Sequence, residues 1–310
     1  MAERASREYL ERVFEETKNW GRWGAGDERG ALHWITPARR AAAAARVRDG
    51  HVVSCALELA TAAAPGNPNP AQHMMIAAGD ARDAAMHGVE SSLDYVGVAC
   101  HGMSVSHIDA LCHVFVQGRM YNGFDASEVK SIGALRNSIM AARDGVVGRG
   151  VLLDIPRLRG VPWLEPGEAI SPDELTAAER AQGAEVGEGD ILLVATGRDA
   201  RRARFGPWAP TEGLAGLHPT CIPWLHARRI AVLGSDGVSD PLPVNKTPGW
   251  PIPIHQCCLV AMGVHLLDNL ELGRLAAACA ERGRYEFLFS VGPLRIERGT
   301  GSPVNPLAIL

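Results

Sequence analysis

The chain has 310 residues, 46% of them hydrophobic and 21% charged, with a formal net charge of −4 and a sequence pI near 6.3. This length and apolar content suffice for a large buried core, and mild acidity without a basic cluster excludes nucleic acid as an expected partner. No run approaches about 18 uncharged apolar residues, and charge begins at Glu3, so neither a membrane span nor a signal peptide is expected.

The spacing of Tyr9, Leu10, Val13 and Phe14 predicts an amphipathic helix over Glu3–Lys18. Asn19–Gly30 is a Gly-rich loop whose Trp20 and Trp23 can wall a pocket, seal an interface, or pack the lead-in segment. Thr36 caps a second helix that starts at Pro37 and runs to Val47. Asp49-Gly50 ends it, and Val52–Leu59 is predicted as a strand. Pro65, Gly66, Pro68 and Pro70 make Ala62–Gln72 a long loop, and His73-Met74-Met75 is assigned to surface packing. Asp94–Ala99 is a strand.

It feeds the densest chemistry in the chain, His101-Gly-Met-Ser-Val-Ser-His107-Ile-Asp109-Ala-Leu-Cys-His113. Imidazole and carboxylate are the usual protein ligands of zinc and manganese. On an extended strand, His107 and Asp109 point the same way and reach one ion. His113 shares that face if the backbone stays extended, and parity says nothing if Ala110–Cys112 turns. Hydrogen-bonded core histidines are the ordinary alternative.

Ser106-His-Ile-Asp-Ala-Leu-Cys-His113 resembles the signature of the cyclase-like metal-dependent hydrolases, of the kynurenine formamidase and isatin hydrolase type. The family pattern is His-x-Gly-Thr-His-x-Asp-Ala-Pro-x-His. Ser106 replaces the Thr, Val105 the Gly and Leu111 the Pro. Met103 stands where the family's first metal-binding His belongs, and a thioether is a poor ligand for such ions. His101, two residues earlier, is the expected replacement, on a strand that keeps positions 101, 103, 105 and 107 on one face.

Further along, Gln117–Phe124 is a polar, aromatic turn, similar to a Tyr-Asn-Gly segment of the family's larger members. Gly148–Asp154 is a strand. Ser171 caps a helix opened by Pro172, with Glu174 completing a capping box. A turn at Val186–Gly189 precedes a buried strand over Asp190–Gly197. The four arginines of Arg198–Arg204 make either a solvated face or an anion site. Gly213–Pro219 is a loop, Ile222–His226 a short helix and Ile230–Leu233 a strand. Gly234–Asp240 resembles the family's Gly-x-Asp-Thr-x-Ser segment, which makes Asp236 and Ser239 supports of the site or parts of a structural turn. Pro251–His255 leads into a helix through Gly263, and Val264–Leu270 is a strand. Tyr285–Phe289 and Val291–Ile296 are late strands that can pair. Gly301–Pro306 resembles the family's closing Ser-Pro-Val segment.

The resemblance covers the chain from about Trp20 to its end and implies the rest of the site. His255 matches a family His at the start of a helix, and Asp268 matches an acid, commonly Glu, at the end of a strand. The expected metal set is therefore His101, His107, Asp109, His113, His255 and Asp268, with His113 and His255 also the proton-transfer candidates. If two ions bind, Asp109 bridges them, with His113 and His255 on the second. His33, His51, His73, His87, His226 and His265 are assigned to structure or surface, and His218 is left open as a pocket residue.

The implied fold is one compact α/β domain over 1–310, with a helical, Trp-rich lead-in to about residue 50. Its sheet is expected to be mainly antiparallel and barrel-like, flanked by helices, of the swivelling β/β/α type. The implied activity is metal-dependent hydrolysis of a C–N bond in a small aryl-formamide or cyclic amide. Alternatives are a lactone hydrolase or biosynthetic cyclase/dehydratase with the same site, or a non-catalytic metal- or ligand-binding member, which Met103 keeps open. A divalent metal, Zn or Mn, is the expected cofactor. Partners are expected to be a small-molecule substrate and further copies in a homodimer or homotetramer. Seven cysteines without a CxxC pair point to a reducing cytoplasm; Cys55, Cys100, Cys112, Cys257, Cys258 and Cys279 are expected as buried thiols. Cys112, inside the central motif, is a secondary candidate nucleophile.

Overall fold

A computed structural model describes residues 5–80, 89–103, 105–243 and 247–310; His87 and the first residues of the N-terminal helix prediction lie outside them. Nine strands form the main sheet. They are β1 (Val52–Ser54), β2 (His107–Asp109), β3 (Val146–Asp154), β4 (Ile191–Ala195), β5 (Val232–Ser235), β6 (His265–Asp268), β7 (Glu286–Val291), β8 (Gly301–Pro303) and β9 (Leu307–Ile309). Their order across the sheet is β1-β9-β7-β3-β4-β5-β6-β2-β8.

The sheet is mixed, which corrects the mainly antiparallel expectation. The four central strands β3, β4, β5 and β6 pair in parallel, and both flanks are antiparallel. The reason is in the connections. Parallel neighbours need long crossovers, and each gap here contains helix: Pro172–Gln182, then Arg198–Phe205 with Ile222–Arg228, then Pro253–Met262. The central strands read as continuous apolar runs, Ile191-Leu-Leu-Val-Ala195 among them, because both of their faces are buried. Beyond its ends the sheet curls: Ala56, past β1, bridges Leu270, past β6, and the Leu57 amide donates to Ser106 Oγ.

Local chemistry sets the boundaries. The first helix spans Arg7–Glu16, capped by Ser6, and buries Leu10, Val13 and Phe14. Pro37–Ala44 follows its Thr36 cap, and Pro172–Gln182 has both bonds of the Ser171/Glu174 capping box. The predicted strand over Val52–Leu59 shortens to Val52–Ser54 because its next residues leave the sheet edge for the site. The two predicted late strands become one, β7; residues 292–296 are irregular, and β7 pairs instead with β3 and β9. Gln72–Ala77 and Leu93–Gly97 form a separate two-stranded ribbon, exposed along most of its length. No helix of the described residues is long and apolar enough to cross a membrane.

Candidate metal centre

β2 is three residues long and lies between β6 and β8. Its register puts His107 opposite Asp268, so these side chains share a face with Asp109. Asp109 is fully buried and is the hub. Its Oδ1 lies 2.9 Å from His101 Nδ1, 3.5 Å from His107 Nε2 and 3.9 Å from His113 Nε2, and its Oδ2 lies 3.8 Å from His255 Nε2. His255 Nε2 is also 3.2 Å from Asp268 Oδ2. All six predicted site residues therefore meet in one cluster.

Within it the ligand atoms fall into two groups, His101/Asp109/His113 and His107/Asp109/Asp268, each with its atoms within 4.8 Å of one another. Asp109 is common to both. The expected grouping of His113 with His255 is not the one the geometry gives: His113 stacks on His101, with ring centroids 3.9 Å apart, and His255 sits beside Asp268.

His101 arrives by a different route from the one its spacing suggested. Residues 101–103 are bends rather than strand, and Gly102 has φ +119°, a conformation that favours glycine. The loop is pinned from outside. Arg198 Nη2 donates to the Met103 carbonyl at 3.1 Å, Asn269 Nδ2 donates to the Gly102 and Val105 carbonyls, and Ser106 Oγ donates to the Asn269 carbonyl. Thr300 Oγ1 lies 3.0 Å from His101 Nε2. His113 comes back to Asp109 by a turn, closed by its amide donating to the Ala110 carbonyl.

His255 opens the turn Pro253–His255, which continues as a π-helix over Gln256–Met262. Asp240 fixes it: its carboxylate accepts from the Ile254 amide, the His255 amide and His255 Nδ1 at 2.6 Å. Nε2 is thereby left facing the two other carboxylates. His107 is fixed in the same way, with Nδ1 donating to the Val105 carbonyl at 2.7 Å and Nε2 turned inward.

Charge in the cluster follows these contacts. Burial alone would raise the Asp109 carboxyl, but the His101 bond and the neighbouring His113, His107 and His255 outweigh it and hold it well below the usual carboxylate range. Burial opposes protonation of His101, and the Asp109 bond overrides it, lifting the imidazole to about 10. Burial also disfavours a charged His255; Asp268 and Asp240 override that and raise it well above its ordinary value. His113, with less help from Asp109, is lowered by burial.

Two atoms test whether a cation fits. Asp109 Oδ2 and Asp268 Oδ1 are buried with no hydrogen-bond partner. A buried carboxylate oxygen left without a donor is costly. Asp109 Oδ2 faces His255 Nε2 at 3.8 Å, and both carboxylates group with His107 in a hard and borderline donor set, which suits a divalent ion.

Sequence reasoning missed Asp240, Arg198 and Asn269. Asp240 sits in the quoted Gly234–Asp240 segment, but its partner lies 15 residues on, outside any local spacing rule. Arg198 is no solvated-face residue: it bonds the Asp236 carbonyl, Asn269 and the Met103 carbonyl. Asp236 supports the site indirectly, accepting from Thr196, Gly197 and the Arg198 amide. Ser239 is buried with φ +59° and belongs to the turn. His218 caps the turn Pro219–Cys221 through Thr220. His265 is fully buried, three residues from Asp268 and hence on the opposite strand face. Cys112 is buried and pushed up to about 12 by burial, the reverse of what a nucleophile needs. Cys100 is half-buried rather than buried, and all seven cysteines are free.

A family model described as putative cyclase matches residues 59–240. A crystal structure described as a novel cyclase is 30% identical, with a TM-score of 0.84 over 94% of this chain and 99% of that one. An isatin hydrolase bound to the product analogue thioisatinate is 20% identical, with a TM-score of 0.58 over 84% of this chain and 92% of that one. A structure described as a predicted metal-dependent hydrolase from Bacillus stearothermophilus is 15% identical, with a TM-score of 0.53 over 84% and 99%. No curated protein matches the chain.

Proposed function

This chain belongs to the cyclase family, and on that basis we propose that it is a metal-dependent hydrolase of a C–N bond in a small aryl-formamide or cyclic amide. The observation that carries the reading is the Asp109 carboxylate, fully buried, ringed by four imidazoles and left with an unpartnered oxygen. His107, Asp109 and Asp268 would hold one ion, and His101, Asp109 and His113 mark a second position that shares the same carboxylate. Zn and Mn both suit these donors. A divalent ion supplies Lewis acidity toward water and toward the scissile carbonyl.

The chain's own residues supply proton transfer and orientation. His113 has 29% of its side chain exposed, while Asp109 has none. It is placed to accept a proton from the attacking water and to return it to the leaving nitrogen as the C–N bond breaks. His255, with Nδ1 held by Asp240, presents Nε2 to the carboxylates and serves as a ligand or as the second proton carrier.

The test is a panel of aryl formamides, cyclic amides and lactones offered to metal-loaded protein. The reading predicts turnover of a formamide or cyclic amide, and a loss of about 10²–10⁴-fold in kcat for His113→Ala. Turnover of lactones alone would favour the alternative hydrolase with the same site. No turnover of any substrate would leave a binding role.

The proposal includes a homodimer or homotetramer. The ribbon leaves Met74, Ile76, Tyr95 and Val96 exposed, and a lone two-stranded ribbon has little stability of its own. Sedimentation at micromolar concentration finding only monomer would remove that part. Seven free cysteines support action in a reducing cytoplasm.

A further inference from the structure

A concave site lies apart from the metal cluster, in a cavity of about 180 Å³. Its floor is apolar: Leu225, Ile230, Met262 and Val264. Its rim is cationic. Arg22 and Arg229 both lie against Trp34, with guanidinium carbons 5.5 Å and 5.4 Å from the ring centroid. His226 is the third basic group, and Asn19 supplies an amide. No carboxylate lines the cavity.

The cations are short of counter-charge. Arg229 pairs with Glu188 at 2.6 Å, but that carboxylate also accepts from Arg39, so one negative charge serves two guanidinium groups. Arg22 gives its Nε to the neutral Asn19 side-chain oxygen at 2.9 Å. The His226 imidazole is lowered first by burial and then by both arginines, which places all three groups within electrostatic reach of one another. Cations converging over an apolar floor suit a ligand that is anionic at one end and apolar at the other. A cavity of about 150 Å³ accepts a benzene ring. This cavity is somewhat larger, leaving room for one ring and a small charged group.

We propose that the cavity bounded by Arg22, Trp34, His226, Arg229 and Met262 is a binding site for a single-ring aromatic carboxylate. The carboxylate meets the arginine fork atoms and His226, and the ring lies over Leu225, Ile230 and Val264. The site is built by the N-terminal loop and the Ile222–Arg228 helix, so the inference stands independently of any metal at Asp109.

The experiment is calorimetric titration of metal-loaded protein with benzoate, with benzamide and inorganic phosphate as comparison probes. The expected result is saturable benzoate binding, weakened at least tenfold in Arg22→Gln/Arg229→Gln, with benzamide and phosphate both much weaker. Both arginines are exposed, so this variant keeps its core. The His226 ring, followed by NMR, should titrate at higher pH with benzoate present. Unaltered benzoate binding in the double variant would place the ligand elsewhere, the metal included, and overturn the proposal. So would equal binding of benzamide, which needs no cation, or of phosphate, which needs no ring. Absence of saturable benzoate binding overturns it outright.

Discussion

Among single residues, the site depends on groups that never touch a metal. Asp240 accepts three hydrogen bonds from Ile254 and His255, and so sets both the start of the turn and the direction of the His255 ring. Asp240→Asn keeps an acceptor for the backbone and loses the charge behind the imidazole. Metal affinity should fall about ten- to a hundredfold, read by competition with a chelator; unchanged affinity would remove Asp240 from the site. Arg198 acts at longer range, through the Met103 carbonyl. Arg198→Met frees the loop that delivers His101, and metal affinity should drop about tenfold while circular dichroism stays native. A lysine there should restore little, because a point charge cannot hold the Asp236 carbonyl, Asn269 and Met103 together. Both groups were invisible to spacing. The six histidines and carboxylates of the motif and its family matches were legible because the donor types and positions are local. Arg198 and Asp240 act across 95 and 15 residues of chain, and only the fold brings them near.

Strands and helices fail or succeed as sequence signals for a related reason. Helices whose caps are legible in the sequence begin where expected, since Thr36 and Ser171 satisfy their own first-turn amides; the first helix starts at Arg7, after its Ser6 cap, rather than at Glu3. The extended reading of residues 101–107 was wrong, because alternation cannot reveal a bend at Gly102. The π-helix at Gln256–Met262 has no sequence signature in a run that is apolar after Gln256, yet it carries the chain from His255 to Gly263, where the lead-in docks. That docking is tight: Asn19 Nδ2 donates to the Met262 carbonyl, Trp20 Nε1 to the Val260 carbonyl and the Ala31 amide to the Gly263 carbonyl. A Cβ on Gly30, where φ is +59°, would stand 2.2 Å from the Gly263 oxygen. Gly30→Ala should therefore destabilise by about 3 kcal/mol or more, visible as a lower denaturation midpoint; a change under about 0.5 kcal/mol would mean the docking is loose. Next to β4, burial raises Asp190 to about 6 and Arg149 only partly offsets it. The folded value then exceeds the unfolded one near 3.9. The native state holds the extra proton between those values, so stability from this group is full below about pH 4 and is lost as pH rises through 6. The swing is at most about 3 kcal/mol. Asp190→Asn should flatten that part of the stability profile; an unaltered slope would show the acid to be already ionised.

For the molecule as a whole, the mixed sheet explains why the candidate centre lies where it does. Parallel strands β3–β6 demand helical crossovers and buried faces, and the antiparallel addition of β2 beside β6 sets His107 and Asp109 against Asp268. The sequence showed alternating strands and helices, hence α/β, but pairing partners lie too far apart for periodicity to choose between parallel and antiparallel. β2 itself is three residues, too short to announce a direction. The curl then brings the segment after β1 over the site, where Leu57 and Ser106 meet. Within this frame His101, two residues from Met103, reaches Asp109 on a loop the rest of the fold clamps, the position from which it is proposed to replace the imidazole that Met103 does not supply.

Elemental analysis of bound metal tests that compensation most directly, on protein purified without chelator or affinity metal, for the wild type, His101→Ala, Met103→Ala and His107→Ala. The expected result is zinc or manganese in the wild type, unchanged in Met103→Ala, lowered in occupancy or affinity in His101→Ala and lost in His107→Ala. Full metal content and affinity in His101→Ala would contradict it.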